Sequence, residues 1–444
     1  MKFLKILKRK EKKDLVELVI LQWIILQNNI EEYVMVLNKK TAALSFVLLS
    51  LAFFPTYLFT SSNSTGQQFF FVTYLMLLLC SNFLYFRKEY YYPKKEVLTV
   101  FITSAFIIIT TLSKLSSLDL GGFVNHFRFV FYSLVLLLTF NLCCRLNINS
   151  KSVLSVFYIF LISCVIFTLV HIYKPELVAF INPREAYSFR GISIGGPFVW
   201  SYIFAFVILP IFFYFMTLLA SEFKFRYAIC SFLCLGLILL SQSKAAYLSI
   251  FTCYFLFSII FIYYRLVGYK NVILSSVFIF LIILLIFQNY SHELNTVSTA
   301  LETLQDGGVD SSTAGRLRQI TSVLAILDGT DLSTTFFGVT GETLIIENAY
   351  FSYLQDYGLF GLLGLLFFMF ALFVISFSNL KNSIVNFKAD TKLIALNISF
   401  FMMVISIPIF SLGSSPIDAN KSSYYLFIYW AIVLAVKKER YYNA

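Results

Sequence analysis

Uninterrupted apolar runs of about twenty residues recur along nearly the whole of this chain, and no other feature limits its fold so tightly. A run of that length matches the roughly 30 Å hydrocarbon core of a bilayer. Within lipid, only a helix satisfies its own backbone hydrogen bonds over such a stretch. The expected fold class is therefore all-α, a polytopic integral membrane protein. Spans are expected at about 42–60, 68–86, 97–112, 127–143, 152–172, 197–219, 226–240, 245–264, 271–289, 358–378, 392–412 and 422–436, which makes twelve. Composition agrees, with 59% hydrophobic and 13% charged residues, where a soluble domain carries roughly 25% charged.

Orientation follows from the lysines and arginines in the connections. With the N-terminus inside, the inward segments 1–41, 87–96, 144–151, 221–226, 265–270, 379–392 and 437–444 hold 25 of the 34 lysines and arginines. Both termini are then cytoplasmic. The net charge of +11 reports this topology and contact with anionic lipid headgroups, not nucleic-acid binding. Residues 1–13 are strongly basic and lack the small-residue cleavage site of a signal peptide. The apolar stretch 15–26 is too short to span and reads as an interfacial helix. The chain divides into a basic N-terminal region (1–41), spans 1–9 (42–289), a large outer loop (290–357) and the last three spans with a basic tail (358–444). Seven cysteines without a CxxC pair sit mostly inside apolar runs, as small core residues rather than disulfides or metal ligands.

The outer connections carry the chemistry-bearing residues. The loop 290–350 is the one long polar interval, with eight carboxylates and the cations Arg316 and Arg318. A shorter outer loop, 173–196, holds Arg184 and Arg190, and the hairpin 241–244 exposes Lys244. Outward cations run against the charge bias, so topology alone does not account for them. Three connections presenting Arg or Lys can converge on one anion, with phosphate or pyrophosphate the natural choice for the bidentate arginine fork.

Leu317, Ile320, Leu324 and Leu327 recur at helical spacing and predict an amphipathic helix over 313–327, with Ser312 as N-cap and Gly329 as its stop. Arg316 falls in its first turn, where free backbone N–H groups favour an anion. Arg318 points largely away from the apolar stripe, and a solvated face is its equal alternative. Further on, Glu347 and Asn348 precede a glycine-notched run. Glu347 is a candidate general base at the membrane interface. The competing reading is that Glu347 and Asn348 merely cap the incoming helix. Gly358, Gly361 and Gly364 repeat every three residues, which permits close helix packing.

These elements, in this order, resemble the bacterial O-antigen polymerase and O-antigen ligase superfamily. The resemblance rests on the cytoplasmic start, about twelve spans and a large late outer loop. It rests also on GRLRQI, GVTG, ENAY and GLFGLLG in that loop, on the upstream FRGISIGGP, and on SQSKAAYLS against the family's S-x-S-R segment. Arg184 to Gly195 and Arg318 to Gly329 both fit the R-x10-G spacing of polymerases. Glu347 stands where the ligase branch has a histidine, which tilts the reading to the polymerase branch, and Lys244 replaces the expected arginine.

The resemblance implies a glycosyltransferase of the bacterial inner membrane, acting in O-antigen, capsule or lipopolysaccharide biosynthesis. It would transfer a growing glycan from undecaprenyl pyrophosphate to a new lipid-linked repeat unit on the outer face. Glu347 and Arg316 would be catalytic. Arg190, Arg184, Lys244, Arg318, Asn348 and Tyr350 would bind pyrophosphate or sugar. A chain-length regulator is the expected protein partner, alongside the lipid-linked oligosaccharide and membrane lipids. No cofactor is implied. The outer loops contain no DxD-like carboxylate pair, so a metal-independent reaction is expected. The alternatives are an O-antigen ligase, which needs a lipid A core acceptor, a flippase or transporter, and a structural membrane protein. A flippase would place ionisable residues inside its spans, and these spans are nearly free of them.

Overall fold

The structure is a computed structural model that describes residues 39–55, 63–85, 93–112, 126–188, 191–266, 277, 311–339, 344 and 346–443. The expected interfacial helix at 15–26, the span 271–289 except residue 277, the loop portion 290–310 and Arg190 lie outside the described residues. Helices α1 to α8 are Lys39–Ala52, Asn63–Leu84, Lys94–Leu112, Arg128–Arg145, Ser150–Tyr173, Ser201–Glu222, Phe225–Leu240 and Lys244–Tyr263. Within the stretch expected as the outer loop lie α9 (Ser311–Asp328) and α10 (Leu332–Phe337), followed by α11 (Ala349–Asn386), α12 (Thr391–Ser411) and α13 (Asn420–Asn443). Among the described residues the architecture is helical apart from one small antiparallel ribbon, β1 (Tyr187–Ser188) and β2 (Gly191–Ile192), paired Tyr187 to Ile192.

Six of these helices, α4, α5, α6, α8, α11 and α12, are long and apolar enough to cross a membrane. Two others among the expected spans are shorter: α1 has 14 residues and α7 has 16, and at 1.5 Å per residue neither alone covers a 30 Å core. The centre is built from α6, α12 and α13, which are largely buried. A helix apolar all round has to be enclosed, and the most apolar window of α6 is entirely buried. Around them, α5, α8 and α11 turn one apolar face inward and one outward: Phe251, Phe255 and Ile262 of α8 and Phe370 of α11 are exposed. That outward apolar surface, on helices of spanning length, is the signature of a membrane-embedded protein.

The glycine triplet of α11 does two separate jobs. Gly364 lets α11 approach α3, since a Cβ there would stand 2.8 Å from the Phe106 Cβ, as the spacing suggests. Gly358 instead breaks the helix, with φ +63° and ψ −161°. A Cβ at Gly358 would meet the Phe336 carbonyl carbon at 2.4 Å, so α10 sits directly on the break. The expected boundary between loop and tenth span falls at this break, while helical structure already begins at Ala349.

The amphipathic helix expected over 313–327 is present, but its inward side is not the expected stripe. It starts at Ser311, one residue ahead of the expected Ser312 cap, and ends just before Gly329. Leu317 and Leu324 are about half exposed, and Val323 is the fully buried side chain. Period alone gives a face; the neighbour that covers it is set by the tertiary fold.

Candidate functional site

Four connections meet at one end of the bundle. The ribbon is tied to the 241–243 hairpin, because the Ile194 N–H donates to Leu240 O at 3.0 Å and the Gln242 amide donates to Ile192 O. Ser243 caps α8 by accepting from the Ala246 N–H, which places Lys244 at the first helical position. The 412–419 connector between α12 and α13 closes the arrangement: the Asn348 amide donates to Leu412 O at 3.0 Å.

Between these connections lies a cavity of about 450 Å³, within the range usual for small-ligand sites. Lys244, Arg316 and Gln242 line it, with hydroxyls of Ser193, Ser201, Ser312 and Ser414, and an apolar side made by Leu248, Leu317 and Ile409. The α9 helix is long enough, and starts early enough, to bring Arg316 over the 412–414 connector. There the guanidinium lies in van der Waals range of Gly413, where a Cβ would sit 3.7 Å from the guanidinium carbon.

Arg316 donates from Nε to the Glu347 carboxylate at 3.0 Å. It is the one described bond of this guanidinium, so both Nη groups remain for a cavity ligand. Glu347 is 53% exposed in its side chain, and its backbone N–H donates to the Gln319 amide oxygen at 3.1 Å. The Glu347 Oε1 has no partner among the described residues. Arg316 thus lines the cavity, while the Glu347 carboxylate bonded to it lies outside the cavity lining.

The other expected site residues divide clearly. Lys244 shares the cavity with Arg316. Arg184 does not line it: its guanidinium lies over the Trp200 ring, 3.2 Å from the centroid, and Trp200 leads directly into Ser201 and Tyr202, which do. Arg318 is exposed on α9 and outside the cavity lining. Asn348 is the N-cap of α11, accepting from the Tyr350 and Phe351 N–H groups. The capping alternative therefore describes Asn348, while the Glu347 carboxylate goes to Arg316. Tyr350 donates its hydroxyl to Pro408 O at 3.1 Å and ties α11 to α12. Among the described residues no group of three His, Cys, Asp or Glu could hold a metal ion.

The contacts of the 412–419 connector, and of Lys421 just beyond it in α13, are not expected from the sequence. Arg128 donates to Asp418 at 2.5 Å and to the Tyr357 hydroxyl at 3.1 Å; Tyr353 donates to Asp418 at 2.7 Å, and Ser415 does so as well. Tyr132 donates to Ile417 O at 2.9 Å. The Arg128 and Asp418 side chains are only 15% and 18% exposed. A usable signal was present: Arg128 and Lys421 are two more outward cations in the expected topology. No family model and no curated protein matches the chain.

Proposed function

We propose that the protein is a polysaccharide polymerase that joins lipid-linked oligosaccharide repeat units at the outer face of a bacterial inner membrane, with twelve spans and both termini cytoplasmic. The observation that supports the reading is Arg316, which lines one cavity with Lys244 and binds through Nε the Glu347 carboxylate, itself outside that lining. In this reading the bond between the anomeric carbon of the growing glycan and its pyrophosphate oxygen breaks as a sugar hydroxyl of the incoming unit attacks. The hydroxyl proton passes to Glu347. The developing negative charge on the departing pyrophosphate is met by the Arg316 fork and the Lys244 ammonium. The serine hydroxyls suit phosphate or sugar oxygens, and the apolar side suits the lipid carrier. Arg184 acts on the cavity from behind Trp200.

The test is polysaccharide length on a gel, from cells lacking the gene and complemented with wild type, Arg316→Ala or Glu347→Ala at matched membrane levels. A null strain limited to single-repeat product, with neither variant restoring the ladder, is the expected outcome. Losing one preorganised charge partner in such a site costs about 10²-fold or more in rate, enough to erase the ladder. A ladder that persists without the gene would overturn the reading, and long polymer that accumulates unattached to lipid A core would identify a ligase instead.

A further inference from the structure

Lys421 is 6% exposed and makes no ion pair among the described residues. Its ammonium donates instead to three backbone carbonyls: Ala52 O at 2.9 Å, Phe54 O at 3.1 Å and Pro197 O at 2.9 Å. Enclosing an ammonium without a counter-ion is costly, and three neutral acceptors only partly offset that cost. A methionine would fill the same space without the desolvation cost, so packing does not explain the lysine. What the three bonds do is join the end of α1, the start of α13 and the turn at Pro197, segments far apart in sequence.

That turn is backbone under strain. Gly196 has φ +51° and Val199 has φ +71°, the latter in a region that β-branched residues rarely adopt. Gly195 admits no side chain, because a Cβ would lie 2.0 Å from Val199 O. Such geometry persists only where surrounding contacts over-determine it. Here the contacts are Lys421 on one side and the Asn182 amide, donating to Gly196 O at 2.8 Å, on the other. The strained turn delivers Trp200 beneath Arg184, and Ser201 and Tyr202 into the wall of the cavity.

We infer that Lys421 is a positioning residue: its ammonium holds the 195–199 turn in its strained form, and so sets the Arg184–Trp200 stack and the Ser201–Tyr202 wall of the cavity. Its importance to activity rests on the proposed function; its hold on the turn does not. The experiment separates the two. In full-length protein with Trp23→Phe and Trp430→Phe, Trp200 is the sole tryptophan, and its emission and acrylamide quenching report the stack directly. Lys421→Met should raise the quenching constant at least twofold and shift the emission, in protein that is still folded. Lys421→Gln, which can donate two of the three bonds, should fall between Met and wild type.

Purified variants assayed with lipid-linked repeat units should show a KM raised about tenfold and a kcat changed much less. A folded Met variant with unchanged Trp200 fluorescence would overturn the inference, and so would loss of folding in both variants, which would make Lys421 a general stability element. Changed fluorescence without polymerase activity in the wild type would uphold the clasp and overturn the proposed function alone.

Discussion

At the scale of single residues, the two ion pairs near the site differ in burial, and burial predicts opposite roles. Arg316 and Glu347 are 28% and 53% exposed, and an exposed pair contributes roughly 0–1 kcal/mol. Glu347→Gln should therefore leave the unfolding midpoint nearly unmoved while removing function, a contrast read by comparing thermal unfolding in detergent with the polysaccharide ladder. Arg128 and Asp418 are far less exposed. Asp418→Asn leaves a guanidinium largely buried without its counter-ion, and removing one partner of such a pair costs about 3 kcal/mol. Arg128→Gln should cost a similar amount, and the double variant clearly less than the two losses combined. Additive losses in an unfolding titration would show that the residues act independently. The sequence could point to Arg128 as an outward cation, but not to Asp418 as its partner, because 290 positions separate them and only the fold joins them.

At the scale of elements, α10 and the break in α11 form one device. Asp331 caps α10 by accepting from the Thr334 N–H, and bonding with Thr334 holds its carboxyl below the ordinary aspartate range. The capping contribution is present above the unfolded pKa and is lost as pH falls through the folded one, so α10 should loosen first in acid. The other end of α10 rests on Gly358, and Gly338 has φ +88° against the Asp356 carbonyl. Gly358→Ala puts a methyl group 2.4 Å from the Phe336 carbonyl carbon at a positive φ. It should cost about 2 kcal/mol from backbone strain alone, with more from the clash, and weaken the Asn348-capped start of α11 beside Glu347. A Gly364→Ala control crowds the Phe106 Cβ at 2.8 Å but carries no positive φ, so it should be milder; equal losses in thermal unfolding would argue against the break as the sensitive point. The existence of α9 and its glycine stop could be read from periodicity. The positive φ at Gly358 could not, because three glycines at equal spacing look alike until a neighbouring backbone distinguishes them.

At the scale of the whole molecule, the two ends of the bundle are chemically unlike, and this sets the last prediction. One end gathers Arg316, Lys244, Arg128 and Lys421 from connections that the charge bias places outside. The opposite end has a hollow of about 680 Å³ lined by Lys151, Lys388 and Lys392 with Glu222 and Asp390, all from segments expected inside. Apolar run length was enough to show a helical membrane protein. It did not show which helices are enclosed, since α6 and α8 are both apolar by sequence and only packing hides one of them. Nor can run length fix a span count while α1 and α7 are short, and charge must settle sidedness instead. In protein with the native cysteines replaced, Arg318→Cys should react with a membrane-impermeant maleimide on intact spheroplasts. Lys151→Cys and Lys388→Cys should react only after permeabilisation. Should Arg318→Cys and Lys151→Cys label from the same side, the twelve-span arrangement fails, and with it the expected placement of the Lys244 and Arg316 cavity on the outer face. Labelling from opposite sides would place the Lys244 and Arg316 cavity and the Lys151, Lys388 and Lys392 hollow on different faces of the membrane, as the charge bias expects.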